Sequence, residues 1–225
     1  QSLRDFVAKV SHELRTPLTS IKGFSETLLD GSFKDETMLL SFLEIIYKES
    51  NRLQMLVNDL LDLSKLERQG YEIEKEDVRV QDVIARVVDM AIQKMEEKNI
   101  QVAVNLETDL HVLGEENRLI QIFTNLVNNA VMYSPDNSAI TINGYKQNAF
   151  GVIEVIDEGI GIKKEDLQRV FERFYRVDTA RSRNSGGTGL GLAIVKHLVE
   201  LHHGKIEVES EVGQGTMIRV KIPLK

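Results

Sequence analysis

Two apolar stripes near the start of the chain limit its fold more than any other feature. Leu3, Val7, Val10, Leu14, Pro17, Ile21, Phe24 and Leu28 alternate spacings of four and three without a miss. Residues spaced in this way share one helix face, so the run predicts a coiled-coil or bundle seam. Gly31 breaks it, and residues 32–37 read as a loop. A second seam follows through Leu39, Leu43, Ile46, Leu53, Val57 and Leu60. Two long amphipathic helices joined by a short loop form an antiparallel hairpin. A lone hairpin cannot cover both stripes, so two copies are expected to pair as a four-helix bundle, which makes the chain a homodimer.

The helical pattern fades at Glu67–Gly70, and a different one begins near Val80. Helices are expected at Val80–Lys98, Glu115–Tyr133 and Leu190–His202. Strands are expected at Gln101–Asn105, His111–Leu113, Ala139–Tyr145, Val152–Ile156, Lys205–Ser210 and Thr216–Ile222. Strands interleaved with helices, some in hairpin-like pairs, predict an α/β sandwich with a mixed sheet. The organisation is therefore a helical domain over 1–68, a hinge over 69–79 and an α/β domain over 80–225.

Composition narrows the function. With 225 residues there is room for two domains. A net charge of −7 and no lysine/arginine block argue against a nucleic-acid surface. No cysteine is present, which removes disulfides, thiolate metal sites and cysteine nucleophiles. No apolar run reaches the ~18 residues needed to span a bilayer, so no membrane contact is expected of these residues. The chain opens on Gln1, nearly in helical pattern, and reads as part of a longer protein.

His12 falls at heptad position f when Val7 and Val10 are set at a and d, so its ring should face solvent. From periodicity alone it is a surface histidine. Pro17 then stands inside the same helix, where it removes a hydrogen bond and clashes with the Glu13 carbonyl. A kink beside an exposed imidazole is hard to explain by packing. Neutral imidazole is nucleophilic, Glu13 can accept a proton from its far nitrogen, and Thr16 lies one turn away with a hydroxyl that can hold a water. The segment Ser11-His12-Glu13-Leu14-Arg15-Thr16-Pro17-Leu18 resembles the phosphoacceptor box of sensor histidine kinases. The resemblance implies that His12 is autophosphorylated, that Glu13 assists, and that Thr16 supports dephosphorylation of the phosphorylated partner.

Three further constellations follow in order. Asn125-Leu126-Val127-Asn128-Asn129 sits late in a predicted helix, with Asn125 and Asn129 on one face, and amide oxygens suit Mg²⁺. Asp157-Glu158-Gly159-Ile160-Gly161-Ile162 follows a strand. There two glycines let backbone approach a ligand, and an aspartate can accept from an adenine amino group. Gly186-Gly187-Thr188-Gly189-Leu190-Gly191-Leu192 opens a helix whose free N–H groups favour phosphate. The polar segment 177–185 before it, with Arg181 and Arg183, reads as a lid. No Lys-Ser/Thr follows the glycines, so this is not a Walker A loop.

With Phe171-Glu172-Arg173-Phe174-Tyr175-Arg176, these segments resemble the N, G1, F and G2 boxes of the histidine-kinase ATP-binding domain, the fold shared with gyrase and Hsp90. The resemblance implies ATP and Mg²⁺ as cofactors. Asn129 would hold Mg²⁺, Asn125 would lie near the phosphates and Asp157 would read adenine with Tyr133 packed on it. Arg176 would approach the γ-phosphate. Gly159 and Gly161 belong to the nucleotide turn, and Gly187, Thr188, Gly189, Leu190 and Gly191 to the hinge of the lid. It also implies a response-regulator receiver domain as partner and a full-length protein anchored in the bacterial cell membrane, with this part in the cytoplasm. Phe6–Gly31 and Phe171–Lys196 look most like PhoR-type kinases of Gram-positive bacteria. One departure stands out: Met132 occupies a position where many members carry a phosphate-touching lysine. Two rivals remain. A gyrase-type ATPase would need a glutamate where Asn125 stands, since an amide cannot deprotonate water. A non-catalytic dimeric module leaves His12 beside a nucleotide site unexplained.

Overall fold

A computed structural model describes residues 2–177 and 187–225. It opens with helices α1 (Leu3–Leu29) and α2 (Glu36–Leu66). Short polar side chains fix both starts. Ser2 accepts the Asp5 backbone N–H at 3.1 Å, and Asp35 accepts that of Met38 at 2.9 Å. Each satisfies a donor that no helical carbonyl can reach. Pro17 lies inside α1 and is that helix's one buried residue. The helices pack on each other, with the Phe24 and Phe42 rings 4.9 Å apart. Much of the apolar surface stays uncovered: Leu3 is 78% exposed, Tyr47 70% and Leu61 66%, and the seam residues Val7, Leu43 and Val57 are exposed as well.

The stretch read as a hinge, residues 69–79, ends in strand β1 (Glu76–Arg79), which pairs antiparallel with β3 (His111–Gly114). Between them lie α3 (Val80–Glu97) and β2 (Gln101–Leu106). Helix α4 (Glu116–Tyr133), β4 (Ala139–Gln147), β5 (Phe150–Ile156), α5 (Gly191–Leu201), β6 (Lys205–Glu211) and β7 (Gly215–Pro223) complete the second domain. Its main sheet has the order β2-β4-β5-β7-β6. Only β2 and β4 run parallel; the other neighbours are antiparallel.

Alternation along the strands sorts the two sheet faces. Ile140 and Ile142 of β4 are fully buried, while Thr141, Asn143 and Tyr145 between them are only partly so. Helices α3, α4 and α5 cover the apolar face, contributing Val83, Ile84, Ile122, Val127, Ile194 and Leu198 to one continuous core. Each such side chain, fully buried, contributes roughly 1.5–3 kcal/mol. The α/β sandwich with a mixed sheet, preceded by a helical hairpin, is the architecture the alternating patterns predict. None of the described helices is long and apolar enough to cross a membrane.

Candidate active site

At the end of β5, Asp157 uses a single oxygen for the backbone. Its Oδ1 accepts the N–H groups of Gly159 at 2.8 Å and Thr216 at 3.2 Å. This leaves Oδ2 for a ligand and fixes the carboxylate plane. Burial pushes the carboxyl above the usual aspartate range, and the two N–H bonds pull it partly back. Gly161 turns the chain at φ +74°, and a side chain there would run into the Glu211 carbonyl. Gly159 is buried: a Cβ on it would sit 2.5 Å from the Tyr133 carbonyl. It shapes the turn and is not part of the cleft wall.

One face of α4 supplies the opposite wall: Asn125, Asn128, Asn129, Met132 and Tyr133. The third wall is the glycine loop, through Gly187, Thr188, Gly189 and Gly191. Gly189 has φ +80°, and a Cβ on it would meet the Phe174 Cα at 3.0 Å and the Arg176 guanidinium at 3.3 Å. Leu190, in contrast, is fully buried in the core and anchors the loop. Leu190 gives α5 no side-chain cap, so free N–H groups at that helix start remain for an anion. Together with Asp157, Ile160, Gly161, Tyr175, Arg176 and Thr216 these walls enclose a cleft of about 240 Å³. The lid residues Arg181 and Arg183, and most of segment 177–185, lie outside the described residues.

Two parts of the wall were not foreseen. Met55 and Asp59 reach it from α2, and Lys94 from α3. Asp59 accepts a hydrogen bond from the Thr188 hydroxyl at 2.7 Å. Burial raises its carboxyl above the usual range, the Thr188 bond lowers it and neighbouring Asp62 raises it further. No sequence signal marks these residues, because the contact joins positions 129 apart in two domains.

His12 is exposed on α1. Its neighbour Glu13 forms an ion pair with Arg176 at 3.1 Å, in which the Arg176 side chain is 5% exposed and that of Glu13 12%. Both Glu13 oxygens face the same Arg176 nitrogen, and Arg176 also donates to the Gly187 carbonyl at 3.2 Å. One cleft-lining guanidinium is thus paired with the residue that follows the exposed imidazole in sequence. Arg176 is placed against Glu13 and the glycine loop at once. Thr16 donates its hydroxyl to the His12 carbonyl at 3.2 Å, which leaves its oxygen free only to accept. Further bonds tie the domains: Arg118 and Gln121 to Asp62 at 3.0 and 2.7 Å, the His197 ring to the Leu66 carbonyl at 2.9 Å, and Arg173 to Glu67. The Phe6 and Phe174 rings stack at 6.1 Å.

The donor set fits Mg²⁺ carried on a polyphosphate. Three amide side chains line the cleft, and among the described residues no group of acidic or histidine side chains can hold a metal alone. A hard cation that keeps phosphate and water oxygens needs only one or two such ligands.

An exposed histidine on a helical hairpin, beside a glycine-looped cleft in an α/β sandwich, defines a two-domain histidine-kinase core. The chain belongs to the sensor histidine kinase family. Residues 2–69 match the family model "His Kinase A (phospho-acceptor) domain", and residues 114–225 match "Histidine kinase-, DNA gyrase B-, and HSP90-like ATPase". It is 40% identical to the sensor histidine kinase WalK of Bacillus subtilis, over all of this chain and 37% of WalK. It is 41% identical to the phosphate regulon sensor protein PhoR of Pseudomonas aeruginosa, over 96% of this chain and 49% of PhoR. The chain therefore spans half or less of the length of these two relatives. Its fold is similar to the Acinetobacter baumannii histidine kinase AdeS, with a TM-score of 0.77 at 27% identity, covering 95% of this chain and 98% of that one. It is also similar to histidine kinase ThkA, solved in complex with response regulator protein TrrA, with a TM-score of 0.80 at 26% identity, covering 98% and 61%.

Proposed function

We propose that the chain is an ATP-dependent protein-histidine kinase that phosphorylates His12 and passes the phosphoryl group to an aspartate of a response-regulator receiver domain. The observation that carries this reading is the Arg176–Glu13 pair, which links the cleft wall to the residue next to an exposed imidazole. In the cleft, Asp157 Oδ2 accepts from the adenine amino group and Tyr133 packs on the ring. The N–H groups of the glycine loop receive the phosphates. Asn129, with Asn125 beside it, would hold Mg²⁺, which supplies charge neutralisation on the phosphates.

Transfer then needs positioning and charge stabilisation above all. A ring nitrogen of neutral His12 attacks the γ-phosphorus, the bond to the bridging β–γ oxygen breaks, and ADP leaves. The proton on the other ring nitrogen passes to Glu13. In the docked arrangement that carboxylate is held by Arg176. Moving the guanidinium toward the γ-phosphate would therefore release Glu13 at the moment its base is needed. Thr16, beside His12, would hold a water by accepting from it in the reverse, hydrolytic reaction on the partner. The uncovered stripes of α1 and α2 are best accounted for by a second copy, giving a four-helix homodimer. The receiver domain would dock on that bundle.

The test is phosphate on the protein after incubation with ATP and Mg²⁺. Wild type should acquire acid-labile, base-stable label. His12→Gln should bind nucleotide normally and acquire none; labelling that survives the substitution would remove His12 from the scheme.

A further inference from the structure

We propose that Lys94 of α3 is a phosphate-binding residue of the nucleotide cleft, supplying the positive charge that the α4 wall lacks. This rests on the reading of the cleft as an ATP site and deepens it. A nucleoside triphosphate brings several negative charges into its pocket, and binding an anion needs a partner of opposite sign close by. The α4 wall offers asparagine amides and, at position 132, a thioether. Two cations are found among the described lining residues, Lys94 and Arg176. Arg176 is engaged by Glu13 and the Gly187 carbonyl, and the carboxyl groups of Asp59 and Asp157 line the same cleft. Lys94 makes no hydrogen bond or ion pair with any described residue and is exposed at the cleft margin.

Helix geometry explains why Lys94 reaches this wall. One turn further along α3, Lys98 donates to the Val131 carbonyl at 2.7 Å and also to that of Ser134, so the two helices end side by side. Residues four apart share a face and lie about 6 Å apart along the axis. Lys94 therefore stands on the α4-facing side, one turn before the Lys98 contact, level with the Asn128–Met132 segment. Its long stem can follow the apolar surface of Met132 while the ammonium stays in the open cleft. A solvated surface lysine would need none of these placements.

The test is calorimetric binding of Mg·ATP, ADP and adenosine to wild type, Lys94→Gln and Lys94→Arg. Lys94→Gln keeps the stem and removes the charge. It should weaken ATP about five- to tenfold, ADP less, and adenosine by less than about twofold. Lys94→Arg should keep most of the affinity. Adding Met132→Lys to Lys94→Gln should restore ATP binding, because the new ammonium enters the same cleft. Unchanged ATP affinity in Lys94→Gln would overturn the assignment. So would an equal loss for ATP and adenosine, which would show a packing effect and not a charge effect. Wild type with no measurable adenine-nucleotide binding would instead overturn the reading of the cleft on which this one rests.

Discussion

Asp157 divides its two oxygens between the fold and the ligand, and this division predicts a separable outcome. Oδ1 holds two backbone N–H groups, and an asparagine Oδ1 can hold the same two. In Asp157→Asn the amide NH₂ replaces Oδ2, so a donor would face the adenine amino donor. An unmatched buried donor costs about 1–3 kcal/mol, so ATP affinity should fall roughly ten- to a hundredfold. The fold should not suffer. Burial holds the carboxyl above the usual range, so ionising it costs stability at neutral pH. The variant should melt at the same temperature as wild type or higher. Calorimetry and thermal melts on one preparation check both halves, and retained ATP binding with a lowered melting temperature would contradict the argument. The place of Asp157 at the end of β5 is legible in the sequence because its signal is local: a strand end followed by two glycines. Leu190 was read with its loop for the same local reason. Only the packing reveals that it serves the core.

Between elements, a buried histidine joins the end of α5 to the start of α4. The His202 Nδ1–H donates to the Leu198 carbonyl at 2.7 Å, and Nε2 accepts the Glu115 N–H at 3.2 Å. The ring is fully buried, with Gly114 leaving room for it. The bond at Nε2 requires the neutral ring, since a protonated Nε2 cannot accept an N–H, and burial outweighs the Leu198 bond to push the pKa below the ordinary imidazole value of about 6.5. The unfolded chain therefore takes up this proton before the folded one. The stability from His202 is complete above about pH 6.5 and is lost as pH falls below that value. Melting temperatures between pH 5 and 8 should show a steeper acid decline for wild type than for His202→Gln, which starts lower but carries no such proton; equal slopes would exclude the ring as the source. Sequence periodicity found both helices but not this link. It also placed most strands within a residue or two, since Ala139–Gln147 and Gly215–Pro223 alternate clearly. It missed β1, where Glu76, Asp77, Val78 and Arg79 present a single inward residue, Val78, and become a strand only by pairing with β3.

For the whole molecule, the bundle meets the ATP-binding domain through an acidic edge, and the nucleotide must share that space. Glu13, Asp59, Asp62 and Glu67 bond to Arg176, Thr188, Arg118 and Arg173. Two of these contacts, those of Glu13 and Asp59, involve cleft-lining partners. Neither could be read from sequence, because each spans more than a hundred positions. Asp59 is a carboxylate in the wall of the proposed nucleotide cleft, already disfavoured in its charged form by burial and by Asp62. Bound ATP adds negative charge beside it. On the proposed reading of the cleft, nucleotide binding and the docked arrangement should therefore oppose each other, and linkage would make the effect mutual. Asp59→Asn isolates the charge, because an asparagine oxygen can still accept the Thr188 hydroxyl. ATP affinity should rise about three- to tenfold, the range expected when one like charge leaves a partly screened site. Adenosine affinity should change little, and the gain should shrink as salt is raised. An Asp59→Asn chain that binds ATP no more tightly than wild type at low salt would mean that the carboxylate and the phosphates do not meet, and that the docked wall moves away before the nucleotide enters.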